Sequence, residues 1–167
     1  MSSSHSLLVG YVWFLGIGAV AAIVLWLIVW VLVERATRGV PTLRVGEALA
    51  AAHPPTGRVC VVVPAHNESR VIGALVRSLR AVTYRDMRVV LALDRCTDDT
   101  ASLARAAIGD DARFEIVAID ACPPDWTGKV HALHVGVTQS HGAANADYLL
   151  FADADTTFAP ECIAAAL

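Results

Sequence analysis

Hydrophobic positions along the chain fall into one long uncharged run followed by a series of short runs. The long run covers residues 7–33, between a short polar tail at residues 1–6 and the first charged side chain, Glu34. Because about 20 apolar residues in a helix cross the hydrocarbon core of a bilayer, this run predicts a transmembrane helix. A buried helix of a soluble protein is the alternative, and the length of the run disfavours it.

The rest of the chain alternates between two periodicities. Residues 34–57 are polar, then rich in alanine, and contain three prolines, which predicts a juxtamembrane connector with a short helix over residues 45–52. The predicted strands that follow are residues 58–63, 88–93, 114–119 and 148–152, and the predicted helices are residues 68–82, 98–108, 129–139 and one starting near Pro160. We expect Asn67 and Thr97 to cap the first two of these helices. Strands separated by helices predict an α/β domain over residues 58–167, with a mostly parallel sheet and flanking helices.

Acidic residues follow two of the predicted strands. In open parallel sheets ligands bind beyond the carboxyl ends of the strands, so these residues are candidates for a site. Asp94 ends the second strand, where its carboxylate could accept hydrogen bonds from a base or a ribose; a structural turn aspartate is the alternative. Asp153 and Asp155 follow the fourth strand, which we expect to be buried. Two carboxylates there would repel each other unless a hard cation, Mg²⁺ or Mn²⁺, joined them to substrate phosphates.

A third candidate segment opens the predicted helix at residues 129–139. Gly128 and Lys129 could meet an anion there, and a solvated lysine at a helix start is an equally good interpretation. His131 and His134 have a spacing compatible with a metal, but packing or exposure on the surface is favoured because no third ligand is evident. The turn at residues 64–68 lacks the glycines of a P-loop or a dinucleotide-binding turn, which disfavours both of those functions.

Composition narrows the class of partner and the location. The formal net charge of -3 and the absence of a basic cluster argue against a nucleic-acid partner. The four cysteines form no C-x-x-C pair, as expected of reduced thiols without assigned chemistry. Arg35, Arg38 and Arg44 follow the apolar run and nothing basic precedes it, so we expect an inner-membrane protein with its N-terminus outside and its domain in the cytoplasm.

Four stretches, in order, resemble the motifs of family 2 glycosyltransferases of the GT-A fold, which is Rossmann-like. They are VVVPAHNE, LALDRCTDDT, WTGKVHALHVG and DYLLFADADT. The resemblance extends in part to membrane glycosyltransferases associated with hopanoids. It implies an inverting transfer from a nucleotide-diphosphate sugar, commonly a UDP-sugar, to a lipid or polysaccharide acceptor. By this resemblance the donor would contact Pro64, Ala65, His66, Glu68, Asp94, Lys129 and Asp153, and the metal would lie at Asp153 and Asp155.

The sequence departs from the family pattern in three places. Leu93 precedes Asp94 where two adjacent aspartates are common, and His66 stands where an aromatic residue or Arg is frequent. The usual carboxylate base is expected beyond Leu167, so we expect the chain to be the donor-binding part of a truncated domain. A missing base removes a contribution of typically 10² to 10⁴ in rate. A non-catalytic docking subunit with a degenerate nucleotide-sugar fold is therefore an alternative. A sugar-nucleotide pyrophosphorylase is disfavoured, because its Gly-rich opening loop is missing.

Overall fold

The computed structural model of the chain describes residues 2–38 and 42–167, without the side chains of residues 2–12 and 43. Met1 of the expected tail and residues 39–41 of the expected connector lie outside the described residues. The chain divides into two compact units, one ending at Thr42 and the other covering Leu43–Leu167. Each unit has its own architecture.

The first unit is a single helix, α1, over Ser2–Thr37. Its segment Trp13–Thr37 has 25 residues, and an 18-residue window within it has a mean hydropathy of 2.7 and is not buried. Length and composition are therefore sufficient for one crossing of a bilayer. The helix begins at Ser2 rather than at Leu7, so the expected polar tail is helical wherever it is described.

The second unit is a four-stranded sheet with helices around it. Its strands are β1 (Val59–Ala65), β2 (Met87–Asp94), β3 (Phe114–Ile119) and β4 (Tyr148–Phe151). Its helices are α2 (Leu43–Ala52), α3 (Ile72–Ala81), α4 (Thr100–Ile108), α5 (Gly128–Gln139), α6 (His141–Ala144) and α7 (Cys162–Ala166). Helix α2 falls within the expected connector, yet it packs against α7 in the same unit as the sheet.

The strand order is β3-β2-β1-β4, and all three pairings are parallel. This confirms the predicted α/β fold. Helices α3 and α4 pack on one face of the sheet with Val61 and Val63, whereas α5 and α6 pack on the other with Cys60 and Val62. Coverage of both faces explains why β1 is a continuous apolar run rather than an alternating one.

Strand β4 is exposed, contrary to the expectation of a buried strand. Tyr148 is 52% exposed, Leu149 42% and Phe151 53%. The reason is topological: β4 lies at the edge of the sheet and pairs only with β1 in the part of the chain that the structure describes. An apolar sequence pattern does not distinguish an edge strand from a central one.

Both predicted helix caps were wrong. Helix α3 begins at Ile72 rather than at Glu68, and Asn67 has a left-handed backbone with φ 56°. The Asn67 side-chain oxygen instead accepts the backbone N–H of Thr97 at 2.8 Å, across from β1 to the loop after β2. Helix α4 begins at Thr100, whose N–H is bound by the Asp98 carboxylate at 3.0 Å. The parallel strands bring the two loops together, so Asn67 binds the loop before α4 instead of its own helix, while the neighbouring Asp98 takes the place of Thr97 at the start of α4.

Candidate functional site

A cleft of about 280 Å³ lies at the carboxyl edge of the sheet, where β1, β2 and β4 end and α5 begins. The eight residues that the sequence predicts for the donor or the metal all line it: Pro64, Ala65, His66, Glu68, Asp94, Lys129, Asp153 and Asp155. Gly128, Ala132 and Ala154 complete the lining. Residues from four separate stretches are thus brought together, and their individual roles stay predictions.

Asp94 is the last residue of β2 and is only 2% exposed. Its carboxylate accepts two hydrogen bonds from Arg95, from Nε at 2.8 Å and from Nη2 at 2.7 Å. These bonds hold the pKa of Asp94 below its usual value in spite of burial, with smaller contributions from the nearby His66 and His131. Because a carboxylate offers about four acceptor positions, the ionised Asp94 keeps acceptor capacity beyond the Arg95 fork.

His66 is oriented by the backbone of the neighbouring strand. Its Nδ1 lies 2.6 Å from the carbonyl oxygen of Asp94, which can only accept a hydrogen bond. Nδ1 therefore carries the proton, and in the neutral ring Nε2 is left as an acceptor. The turn after β1 and the end of β2 are therefore joined at the cleft by the hydrogen bond between the His66 side chain and the Asp94 backbone.

Asp153 and Asp155 follow β4 at the other side of the cleft, and both are exposed. Lys129 Nζ lies 2.6 Å from Asp153 Oδ1, with 61% and 56% of the two side chains exposed. An exposed pair of this kind contributes about 0–1 kcal/mol, so it positions the two groups more than it stabilises the fold. The expectation of buried, unpaired carboxylates was wrong, because β4 is an edge strand and Asp153 has a cationic partner in Lys129.

The two carboxylates nevertheless fit a divalent ion that donor phosphates complete. Among the described residues no group of three His, Cys, Asp or Glu side chains is arranged to hold a metal. Mg²⁺ is commonly bound by one or two carboxylates together with substrate phosphates and water, rather than by a cage of protein ligands. Asp153 and Asp155, which both line the cleft, are the carboxylates that fit such a donor set.

Gly128 has a role that the sequence did not reveal. A Cβ atom at this position would lie 2.8 Å from Arg95 Nη2 and 3.0 Å from Asp94 Oδ2. The start of α5 therefore approaches the Asp94–Arg95 pair so closely that only glycine fits without displacement. The sequence shows a glycine directly before Lys129, but we interpreted it only as part of a possible anion site. That interpretation did not predict its close approach to Asp94 and Arg95.

The two histidines of α5 pack around Trp126. The Trp126 and His134 rings lie 5.0 Å apart between centroids, and those of Trp126 and His131 lie 5.6 Å apart, edge to face. Neither histidine lines the cleft. The favoured interpretation of packing over metal binding agrees with this cluster.

Comparison with known proteins agrees with the family resemblance found in the sequence. The family model described as Glycosyl transferase family 2 matches residues 60–167. A 4,4'-diaponeurosporenoate glycosyltransferase from Staphylococcus aureus is 34% identical over 98 residues, which are 59% of this chain and 24% of that protein. The chain thus spans about a quarter of the length of this curated relative.

Two solved structures share the fold. Mannosyltransferase PcManGT from Pyrobaculum calidifontis, in complex with GDP-Man and Mn²⁺, has a TM-score of 0.57 and 24% identity, over 68% of this chain and 32% of that one. TarS 1-349 from S. aureus, in complex with UDP-GlcNAc, has a TM-score of 0.54 and 20% identity, over 65% of this chain and 30% of that one. These likenesses confirm the expected GT-A fold.

Proposed function

Because the chain belongs to glycosyl transferase family 2, we propose that its cleft binds a nucleotide-diphosphate sugar, with a UDP-sugar as the expected donor, for an inverting glycosyl transfer. The observation that carries this proposal is the convergence of Asp94, Lys129, Asp153 and Asp155 in one cleft at the carboxyl edge of the sheet. Carboxylates at one side suit a base and ribose, and an ammonium with two further carboxylates suits a diphosphate and its cation. The GDP-Man and UDP-GlcNAc bound by the two structural neighbours support this class of donor.

Each residue has a role that follows from its surroundings. The buried, ionised Asp94 is a hydrogen-bond acceptor for a base N–H, and His66 lies beside it with Nε2 available. Lys129 is the cation within reach of the diphosphate, at the start of α5. No catalytic base is proposed among the described residues.

Asp153 and Asp155 are the residues that would hold Mg²⁺ or Mn²⁺ together with the donor phosphates. When bound, the ion neutralises charge on the diphosphate leaving group. The Mn²⁺ of the mannosyltransferase complex supports a divalent ion in this fold, and the choice between Mn²⁺ and Mg²⁺ is part of the test below.

The acceptor is proposed to be a lipid-linked or polysaccharide molecule. A second cleft of about 510 Å³ borders the first, shares Pro64, Lys129 and Asp153 with it, and includes Phe151 and Phe158 in its lining. Apolar side chains next to a charged donor cleft suit an acceptor with an apolar portion. The relative named as a 4,4'-diaponeurosporenoate glycosyltransferase supports a non-protein acceptor.

Helix α1 is proposed to anchor the domain at the cytoplasmic face of the inner membrane. The support is its apolar length and the arginines that follow it. With a membrane-impermeant maleimide, Cys122 should react only after the cells are opened, whereas a cysteine in Ser3→Cys should react in intact cells. The reverse pattern would show the opposite orientation.

Donor binding is tested by calorimetry of the full chain in detergent micelles, with UDP or GDP and with Mn²⁺, Mg²⁺ or EDTA. We expect UDP to bind more tightly with the metal, Asp94→Asn to weaken UDP at least tenfold, and Asp155→Ala to lose the metal dependence. Asp110→Asn, an exposed carboxylate outside the cleft, is the matched control and should bind like the wild type. Unchanged binding in both cleft variants would refute the site. Failure of every nucleotide to bind would favour the non-catalytic docking subunit.

A further inference from the structure

Arg95 adopts a backbone conformation that residues with a Cβ atom disfavour. Its φ is 46°, in the left-handed region. Its N–H donates to the carbonyl of Ile119 at 2.8 Å, which holds the turn against β3. In this conformation the guanidinium turns back onto the preceding residue, and both of its hydrogen bonds to Asp94 are of charge-assisted length.

The Asp94–Arg95 pair depends for its space on a residue of another element, helix α5. Gly128, the first residue of α5, does not have a left-handed φ, so its backbone conformation does not require glycine. What requires glycine is the 2.8 Å and 3.0 Å approach that a Cβ would make to Arg95 and Asp94. The left-handed arginine and the helix-start glycine, from segments more than thirty residues apart in sequence, therefore serve one arrangement.

We propose that Arg95 is a positioning residue for the donor: its guanidinium fixes the Asp94 carboxylate as a charged, oriented acceptor in the cleft, and Gly128 leaves the room that this requires. The inference rests on the proposed donor binding at Asp94. The Asp94–Arg95 pair then takes part in nucleotide recognition. The two hydrogen bonds from Arg95 use two acceptor positions of the Asp94 carboxylate and leave its other acceptor positions for the nucleotide.

The expected signature is a pH profile. Arg95 faces Asp94 from its own loop, His66 from the loop after β1, and His131 from α5, with Lys129 in the same cleft. Among the described residues only Arg95 donates hydrogen bonds to the Asp94 carboxylate, and these bonds are the main reason that the pKa of Asp94 is lowered. Without them, burial to 2% exposure would raise the pKa of Asp94 and protonate it as the pH falls.

The test measures the dissociation constant of UDP for the full chain in micelles at constant Mn²⁺, from about pH 8 to about pH 5. The ratio of variant to wild-type constants removes pH effects that both proteins share, including the titration of UDP itself. In Arg95→Gln we expect this ratio to rise on acidification, by about tenfold per pH unit once the pH is below the pKa of the unpaired carboxyl. Arg95→Lys keeps the charge without the two-pronged fork and should show a smaller rise.

Gly128→Ala tests the same proposal independently, because this substitution removes no charged group. Its methyl should displace the guanidinium from the fork and raise the ratio on acidification as Arg95→Gln does, but by less, because the arginine charge is kept. Gly73→Ala is the matched control: its Cβ would also meet an arginine nitrogen, Arg77 Nη1 at 3.2 Å, but outside the cleft. Its ratio should stay near one at every pH.

The possible results separate this inference from the proposed function. Wild-type binding with a pH-independent ratio for Arg95→Gln and Gly128→Ala would overturn the positioning role and leave donor binding intact. Wild-type protein that binds no UDP would overturn both. If Gly128→Ala does not fold, the comparison of Arg95→Gln with Arg95→Lys decides the question.

Discussion

Substitution of Gly136 by alanine should destabilise the domain, although alanine is the better helix former. Gly136 lies in α5 where the helix meets the sheet, and an added Cβ would lie 2.9 Å from Val62 Cγ1 and 3.2 Å from Ala92 Cβ. Both neighbours are fully buried in central strands, so neither can move aside freely. Overpacking of this kind costs about 1–3 kcal/mol, whereas the gain in helix propensity is about 1 kcal/mol. We therefore expect a net loss of up to about 2 kcal/mol against the wild type.

The assay is thermal unfolding of the full chain in micelles, followed by circular dichroism. A loss of about 1 kcal/mol lowers Tm by roughly 4 °C for a domain of the length of Leu43–Leu167. Gly73→Ala is the matched control, because its Cβ would meet only the end of the Arg77 side chain, which is free to move. That variant should melt at the wild-type temperature or slightly above it. If Gly136→Ala melts with or above the control, the close approach of α5 to the sheet is not real.

Three further predictions concern single side chains. Burial raises the pKa of the Cys60 thiol to about 11, so iodoacetamide at about pH 8 should modify Cys122 in the folded chain and spare Cys60, as measured by mass spectrometry. Hydrogen bonds from Thr100 lower the pKa of Asp98 to about 2; the stability that Asp98 provides over Asp98→Asn should therefore be complete above about pH 4 and fade towards pH 2 in acid unfolding. Lys129→Ala should change Tm by less than about 4 °C, because its ion pair is exposed, yet it should weaken UDP binding.

The strands were predictable because the sheet is built from short runs of β-branched and aliphatic residues with a helix on each side. The predicted third strand has the observed bounds, Phe114–Ile119, and the other three differ by no more than two residues at either end. The gathering of Asp94, Asp153 and Asp155 was predictable for a related reason. Parallel strands end at the same edge of a sheet, so residues that follow them are neighbours whatever their distance in sequence.

What the sequence did not predict depends on partners that only the folded chain provides. Asn67 has the composition of a helix cap, but its partner is the backbone of Thr97, and the left-handed φ that directs it there has no local signature. The pairing of Arg95 with Asp94 was not predictable for the same reason, because it accompanies a left-handed φ at Arg95. The exposure of β4 follows from the strand order, which hydrophobic periodicity does not encode.

Helix α5 meets its surroundings through two glycines, Gly128 at its start and Gly136 eight positions later, about 12 Å further along the axis. The helix is rigid over that length, so a shift forced on it at the sheet is transmitted to the cleft. Protein engineers could therefore tune nucleotide affinity from the core, with volume changes at Val62 or Ala92, while leaving every donor-facing side chain as it is.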